Sequence, residues 1–250
     1  MGLTSRIQAL TAYANEVTGE SDTTLADAVA TLAEGYGQGG GEWSTEGLAN
    51  GSEPNGELVI TGARIADNTF CYKNGITKVI APNATYLGAQ SFMYCTNITE
   101  CSFPKVTSIG YNTFRGAKFT QLTFPSLSGR NQLSCEECSN LTTLDFGKNS
   151  QEIQEFGAYN ASNLDTIILR RTASACVFSN LNNLGRTPFH PKNNTAITKT
   201  GTLYVPSALV ESYKTATNWS TLYNAGTMDV LPIEGSIYET QYADGTAILQ

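Results

Sequence analysis

The chain has one histidine in 250 residues, His190, and only 15% of its side chains are charged. A single imidazole rules out a multi-histidine metal centre and leaves one residue for proton transfer near neutral pH. His190 sits in the proline-bracketed stretch Pro188-Phe189-His190-Pro191, with no Gly-x-Ser-x-Gly or His-Glu-x-x-His motif elsewhere. Basic residues are as scarce as they are scattered. Fifteen Lys and Arg stand against 22 Asp and Glu, a net charge of −7, and the longest basic run is Arg170-Arg171. A phosphate-binding surface needs clustered positive charge, so neither nucleic acid nor an anionic membrane is an expected partner. Long apolar runs are missing too. The densest are as short as Ile167-Ile168-Leu169, far from the roughly 18 residues a membrane helix requires, so no membrane insertion is expected. Met1-Gly2-Leu3-Thr4-Ser5-Arg6-Ile7 carries no continuous apolar region of the secretory kind. The expectation is a protein assembled in a cytoplasm. At 40% hydrophobic residues, the composition is nevertheless that of a chain with a core.

Six cysteines are present, at 71, 95, 101, 135, 138 and 176. A chain of this length does not need disulfide staples. Cys135-x-x-Cys138 is the one close pair, and a zinc site would want a second such pair or two histidines. Calcium would require a dense Asp/Asn/Gly loop, which the chain also lacks. No metal and no cofactor is therefore expected.

What is present begins with helical periodicity. Leu3, Ile7, Leu10, Ala14 and Val17 recur at alternating spacings of four and three, and Leu25, Val29, Leu32 and Tyr36 repeat the pattern after a polar turn. Two short helices over residues 1–36 cannot bury those stripes alone. They either oligomerise or dock through Leu3, Ile7, Leu10, Val17, Leu25, Val29 and Leu32, or fold back on the rest of the chain. Residues 37–56 follow as a glycine-rich, flexible linker by composition.

From about residue 57 the chain repeats itself every 22 residues or so. The motif is apolar-x-x-apolar-x-apolar: Ile76-x-x-Val79-x-Ala81, Ile98-x-x-Cys101-x-Phe103, Phe119-x-x-Leu122-x-Phe124, Leu141-x-x-Leu144-x-Phe146 and Leu164-x-x-Ile167-x-Leu169. Proline follows the first three copies, at Pro82, Pro104 and Pro125, where the missing N–H ends a strand. Ile65-x4-Phe70, Leu87-x4-Phe92 and Ile109-x4-Phe114 mark a second bulky layer. The last two apolar residues of each motif are two apart, so they share one face of a strand. One strand per coil, stacked at about 4.8 Å, makes a parallel sheet. In this register Cys101 occupies the place of Val79 and Leu122, Cys135 the level of Phe70 and Phe92, and Cys95 and Cys138 one common place, all read as small core hydrophobes.

The segment Phe92-x-Tyr94-Cys95-Thr96-Asn97-Ile98-Thr99-x-Cys101-x-Phe103-Pro104, with Val106-Thr107-Ser108-Ile109-Gly110 after it, resembles the BspA-like, or treponemal, subclass of leucine-rich repeat proteins. Gly201-Thr202-Leu203-Tyr204-Val205-Pro206, followed by a helix from Ser207 through Tyr213-Lys214 to Asn218-Trp219, is similar to the C-terminal cap of such domains. There Ser207 can cap the helix while Val210, Tyr213 and Trp219 cover the open end of the core. The resemblance implies an α+β repeat solenoid with a parallel sheet over residues 57–234, capped from about 201, with a tail at 235–250. Residues 3–22 are similar to a short leader on predicted structural proteins of phages and prophages of gut Firmicutes.

The outward-pointing strand residues form a ladder: Lys78, Glu100, Ser102, Gln121, Thr123, Thr143, Asp145 and Thr166, with Arg170 beside them. Ile80 and Ile168 belong to the same face. Such a continuous face is where solenoids commonly bind, and hydroxyls and amides suit a protein or a carbohydrate; a merely solvated sheet is the alternative. The acidic pairs Glu136-Glu137 and Glu152/Glu155 could serve a carbohydrate-active enzyme, but beside repeat turns they read as solvated charge. The expectation is a non-enzymatic, homo-oligomeric virion protein of the tail or another exterior part, adhering to a host surface. Its helices would meet other virion proteins or copies of itself. A bacterial cell-surface or secreted adhesin is the alternative.

Overall fold

Apolar residues two apart, closed by proline, turn the centre of each copy into a short strand. The computed structural model describes residues 45–46, 56–157, 161–178 and 201–248. The principal strands are β2 (Gly56–Ile60), β4 (Ile76–Ile80), β6 (Glu100–Ser102), β8 (Gln121–Phe124), β10 (Thr143–Phe146) and β12 (Thr166–Leu169). Their pairing is parallel and in the register of the repeat: Val79 lies beside Cys101, and Leu122, Leu144 and Ile167 lie side by side. The ladder runs in two sheets. β1 (Thr45–Glu46), β2, β4 and β6 form one; β8, β10, β12, β14 (Gly201–Val205) and β15 (Met228–Pro232) form the other. Thr45–Glu46 fall inside the stretch whose composition suggests a flexible linker, yet they pair antiparallel with β2.

Each coil carries two strands where one was expected. The second bulky layer forms β3 (Arg64–Ile65), β5 (Tyr86–Leu87) and β7 (Ser108–Ile109) in one parallel sheet, and β9 (Gly129–Ser134), β11 (Ser150–Gly157) and β13 (Val177–Phe178) in another. The connecting segments are turns, not helices. Asn68, Gln90 and Asn112 have positive φ, as do Tyr72, Tyr94, Gly116 and Glu137, two series recurring once per coil. Left-handed residues interrupt helical geometry. Their N–H groups point instead at the next coil, Asn68 to Ala89 O at 2.9 Å, Tyr72 to Met93 O at 2.8 Å and Tyr94 to Arg115 O at 2.7 Å. Inter-coil hydrogen bonds thus join the turns of successive coils.

Side chains repeat this bonding. Asn97 Nδ2 donates to Asn74 O at 2.7 Å, Asn163 Nδ2 to Ser139 O at 2.7 Å, and Thr142 Oγ1 to Thr120 O at 3.0 Å. Inside, Phe70, Phe92 and Phe114 form a stack with centroids 5.3 and 5.8 Å apart. Offset pairs of this kind add about 0.5–1.5 kcal/mol each beyond area burial. Cys95, Cys135, Cys138 and Cys176 are buried and free, and Cys101 packs against the same core. Cys95 Sγ donates to Phe70 O at 2.8 Å and Cys138 Sγ to Phe114 O at 3.1 Å, so the repeated cysteine position ties each thiol to a phenylalanine carbonyl of the preceding coil. Burial pushes the Cys95 thiol up to about 12 and the Cys176 thiol up to about 11.

Pro206 ends β14. A 3-10 turn (Ser207–Leu209) then leads into α1 (Val210–Thr215) and α2 (Trp219–Asn224). Ser207 does not cap the helix as expected: its side chain makes no capping bond, and its N–H donates to Glu234 Oε2 at 2.8 Å. Tyr213 and Trp219 are buried against each other, with Trp219 on Phe178, and both bond Cys176. The Tyr213 hydroxyl accepts from Cys176 N–H, and Trp219 Nε1 donates to Cys176 O, each at 2.8 Å. The chain divides into two compact units, 1–42 and 43–250. The expected helical residues Leu3, Ile7, Leu10, Val17, Leu25, Val29 and Leu32 lie outside the described residues, as does His190.

Candidate functional site: the outer strand face

Alternation along the principal strands sends two residues per coil away from the core, and the registers align them in two rows. On the first strands, Lys78 bridges Glu57 (3.4 Å) and Glu100 (3.5 Å). The hydrogen bond to Glu57, reinforced by both carboxylates, raises the Lys78 ammonium above its ordinary value. Glu100, Ser102 and Gln121 are exposed, and Val59 and Ile80 are half-buried beside them. This half of the face is open.

The other half is covered, which alternation did not foretell. Thr123 is 9% exposed, Thr143 5%, Asp145 0% and Arg170 5%, while Ile168 is fully buried and Thr166 half-buried. These residues do leave the core on the outer side. What shields them is the C-terminal segment, which crosses the sheet from Ile233 to beyond Ala243. Ile168, Ile233 and Ala243 form a small second cluster with Tyr204 and Tyr238. The Tyr238 ring meets Tyr204 edge-on at 5.1 Å. Burial, with the Tyr204 phenol beside it, pushes the Tyr238 phenol up, opposed by the Thr166 and Thr143 hydroxyls. A tight hairpin follows, with Gln241 bridged antiparallel to Ala247.

Arg170 and Asp145 are the centre of this half. Arg170 Nε and Nη2 each lie 2.8 Å from one Asp145 oxygen, a two-pronged ion pair. Tail groups occupy what remains. Arg170 Nη1 donates to Tyr238 O at 2.7 Å, Nη2 to Gln241 O at 2.9 Å, and Asp145 Oδ2 accepts from Ala243 N–H at 2.8 Å. The guanidinium also lies 4.8 Å from the Tyr242 ring centre. Burial pushes the Asp145 carboxyl up, opposed by the Arg170 guanidinium and the Ala243 amide. A sequence signal did mark the place. The series Pro82, Pro104, Pro125 continues as Gly147 and then Arg170. At Gly147 a Cβ would lie 1.6 Å from Pro125 O, and its N–H donates to Phe124 O at 3.0 Å, where proline has nothing to give.

The acidic pair expected to be solvated is not. Glu136 is buried, and Arg115 makes ion pairs with both Glu136 and Glu137 while facing the Tyr94 ring at 5.5 Å. Glu152 is half-buried, and the side chain of Glu155 lies outside the described residues. Among the described residues no group of three or more His, Cys, Asp or Glu could hold a metal ion, and no helix is long and apolar enough to cross a membrane.

A family model for the BspA type leucine-rich repeat region matches six copies over residues 63–197. A crystal structure of a leucine-rich repeat protein from T. pallidum is similar at 10% identity and a TM-score of 0.35, over 56% of this chain and 83% of that one. Another, of a leucine-rich repeat protein from Bacteroides ovatus, is similar at 10% identity and a TM-score of 0.32, over 68% of this chain and 59% of that one. Among curated proteins no sequence matches.

Proposed function

The chain belongs to the BspA-type leucine-rich repeat family, and from that premise we propose that it is a non-enzymatic binding protein whose outer strand face adheres to a host surface. The observation that carries the reading is the open half of that face, where Glu100, Ser102 and Gln121 are exposed and Lys78 stands in register with Glu100. Its setting is a phage virion, on the tail or another exterior part, assembled in the host cytoplasm. Residues 1–36 attach it to other virion proteins or to its own copies, 37–56 link, and 201–233 cap the stack. The heptad-like spacing and the phage-leader resemblance of the N-terminal segment support this setting. The family match equally favours a second reading, a bacterial cell-surface adhesin. Its ligand in either case is a surface protein or carbohydrate.

Mass spectrometry of purified phage particles against the cell-envelope fraction of the source culture separates the two settings. Fixed stoichiometry in particles is the expected result, and enrichment in the envelope makes it a cellular adhesin. Deleting residues 1–36 should leave a folded monomer; an unchanged molar mass by light scattering removes the oligomerisation role.

A further inference from the structure

A buried ion pair is stable only when its remaining donors and acceptors are met. Asp145 and Arg170 meet each other two-pronged, and the groups left over are met by Tyr238 O, Gln241 O and Ala243 N–H. All three are main-chain groups. The pair therefore reads main-chain groups of a 3-10 turn, Ile237–Glu239, and of the hairpin after it, and side-chain selection is left to two aromatic positions: Tyr238, edge-on to Tyr204, and Tyr242, facing the guanidinium. The fit is also incomplete. Thr123 Oγ1, in register with Asp145, is buried with no hydrogen-bond partner, so the tail leaves one polar group of the face unused. The segment joins the fold through Gly235, whose φ of +82° favours glycine and whose N–H donates to Glu239 Oε2 at 2.9 Å. Ile237, just beyond, is 67% exposed.

We propose that the outer face of β8, β10 and β12 is a polypeptide-binding site, that residues 236–248 are its resident intramolecular occupant, and that its partner is a polypeptide that takes up the same turn and hairpin and carries aromatic residues spaced as Tyr238 and Tyr242 are. The proposal rests on the reading of the strand face as the adhesive surface and enlarges that surface once the segment is displaced. A tethered occupant competes at a millimolar effective concentration, so a partner in trans gains access in proportion to how weakly the segment is held.

The test titrates a fluorescein-labelled synthetic peptide of residues 233–250 against two full-length chains, the wild type and Tyr238→Ala/Tyr242→Ala. The double variant weakens the occupant without touching the site, so the peptide should bind it at least about tenfold more tightly than the wild type. A peptide bearing the same two alanines should bind neither chain. Equal affinity for both chains, or no binding to either, overturns the proposal. Should the variant fail to fold, hydrogen exchange on the wild type decides: the Ala243 amide should exchange by local opening while the β12 amides stay protected. Equal protection overturns the proposal as well. Glu100→Arg/Gln121→Arg, on the open half, separates the two readings. Loss of adhesion there with failed peptide binding leaves the adhesive face standing and removes only the displaceable occupant; peptide binding without any effect on adhesion does the reverse.

Discussion

The two halves of the outer strand face are built from the same repeat and end in opposite states. On β2, β4 and β6 the charged and small outward residues Glu57, Glu100 and Ser102 meet solvent beside half-buried Val59 and Ile80, with Lys78 shared between two carboxylates. On β10 and β12 they are Thr143, Asp145, Thr166 and Ile168, lying beneath a segment that arrives from some 70 to 100 residues away. Alternation decides only that a side chain leaves the core. Whether it then reaches water depends on what other parts of the chain need to bury. An ion pair costs little in the open half and is critical in the covered one, because desolvation grows as water is removed.

The sharpest way to break this contrast is Arg170→Ala, which strands Asp145 without its counter-ion. It should lower the unfolding free energy by about 3–5 kcal/mol in urea titrations. Lys78→Ala in the open half should leave the melting temperature unchanged, and an equal loss there would erase the distinction. Next comes Thr123→Arg with Thr143→Arg. Two guanidinium groups inserted beneath the C-terminal segment should expel it at a cost on the order of 2–4 kcal/mol, visible as proteolytic cleavage between 235 and 248. The matching pair on the open side, Glu100→Arg/Gln121→Arg, should weaken adhesion while the melting temperature holds. Gly147→Ala tests the coil spacing between the halves. A methyl group placed against Pro125 O should cost about 1–3 kcal/mol in the same titrations.

The smallest effect is set by pH. The Cys176 thiol is pushed from an ordinary 9.0 up to about 11 by burial. The folded state thus holds its proton more tightly than the unfolded one. Stability is full below about pH 9 and should fall as pH rises toward 11, which denaturation at pH 8 and pH 10.5 measures. A flat profile would mean that the thiol reaches solvent.

Much of the fold was legible because it is periodic. Val79, Cys101, Leu122, Leu144 and Ile167 occupy one row as their spacing indicated, and Cys95 and Cys138 fill a repeated core place with a shared bonding partner. Less legible were the second strands. β3, β5 and β7 are only two residues long, too short for alternation to register. The turns between the strands depend on positive φ at Gln90, Tyr72 and Tyr94, residue types that do not advertise it. Of the outer strand residues, Lys78, Glu100, Ser102 and Gln121 leave the core toward solvent, as alternation indicated. Thr123, Thr143, Asp145 and Arg170 were expected on the same surface; all four are buried, and Asp145 and Arg170 hold the tail.

By itself the amino-acid order determined the coil, its length, its core rows and its strand register, because each is a contact between residues one repeat apart and is restated five times along the chain. Only the tertiary structure decided the use of the outer face. That depended on the non-repeating segment after Ile233 finding Asp145 and Arg170, a match between main-chain groups and a buried ion pair that leaves no periodic trace in the side chains.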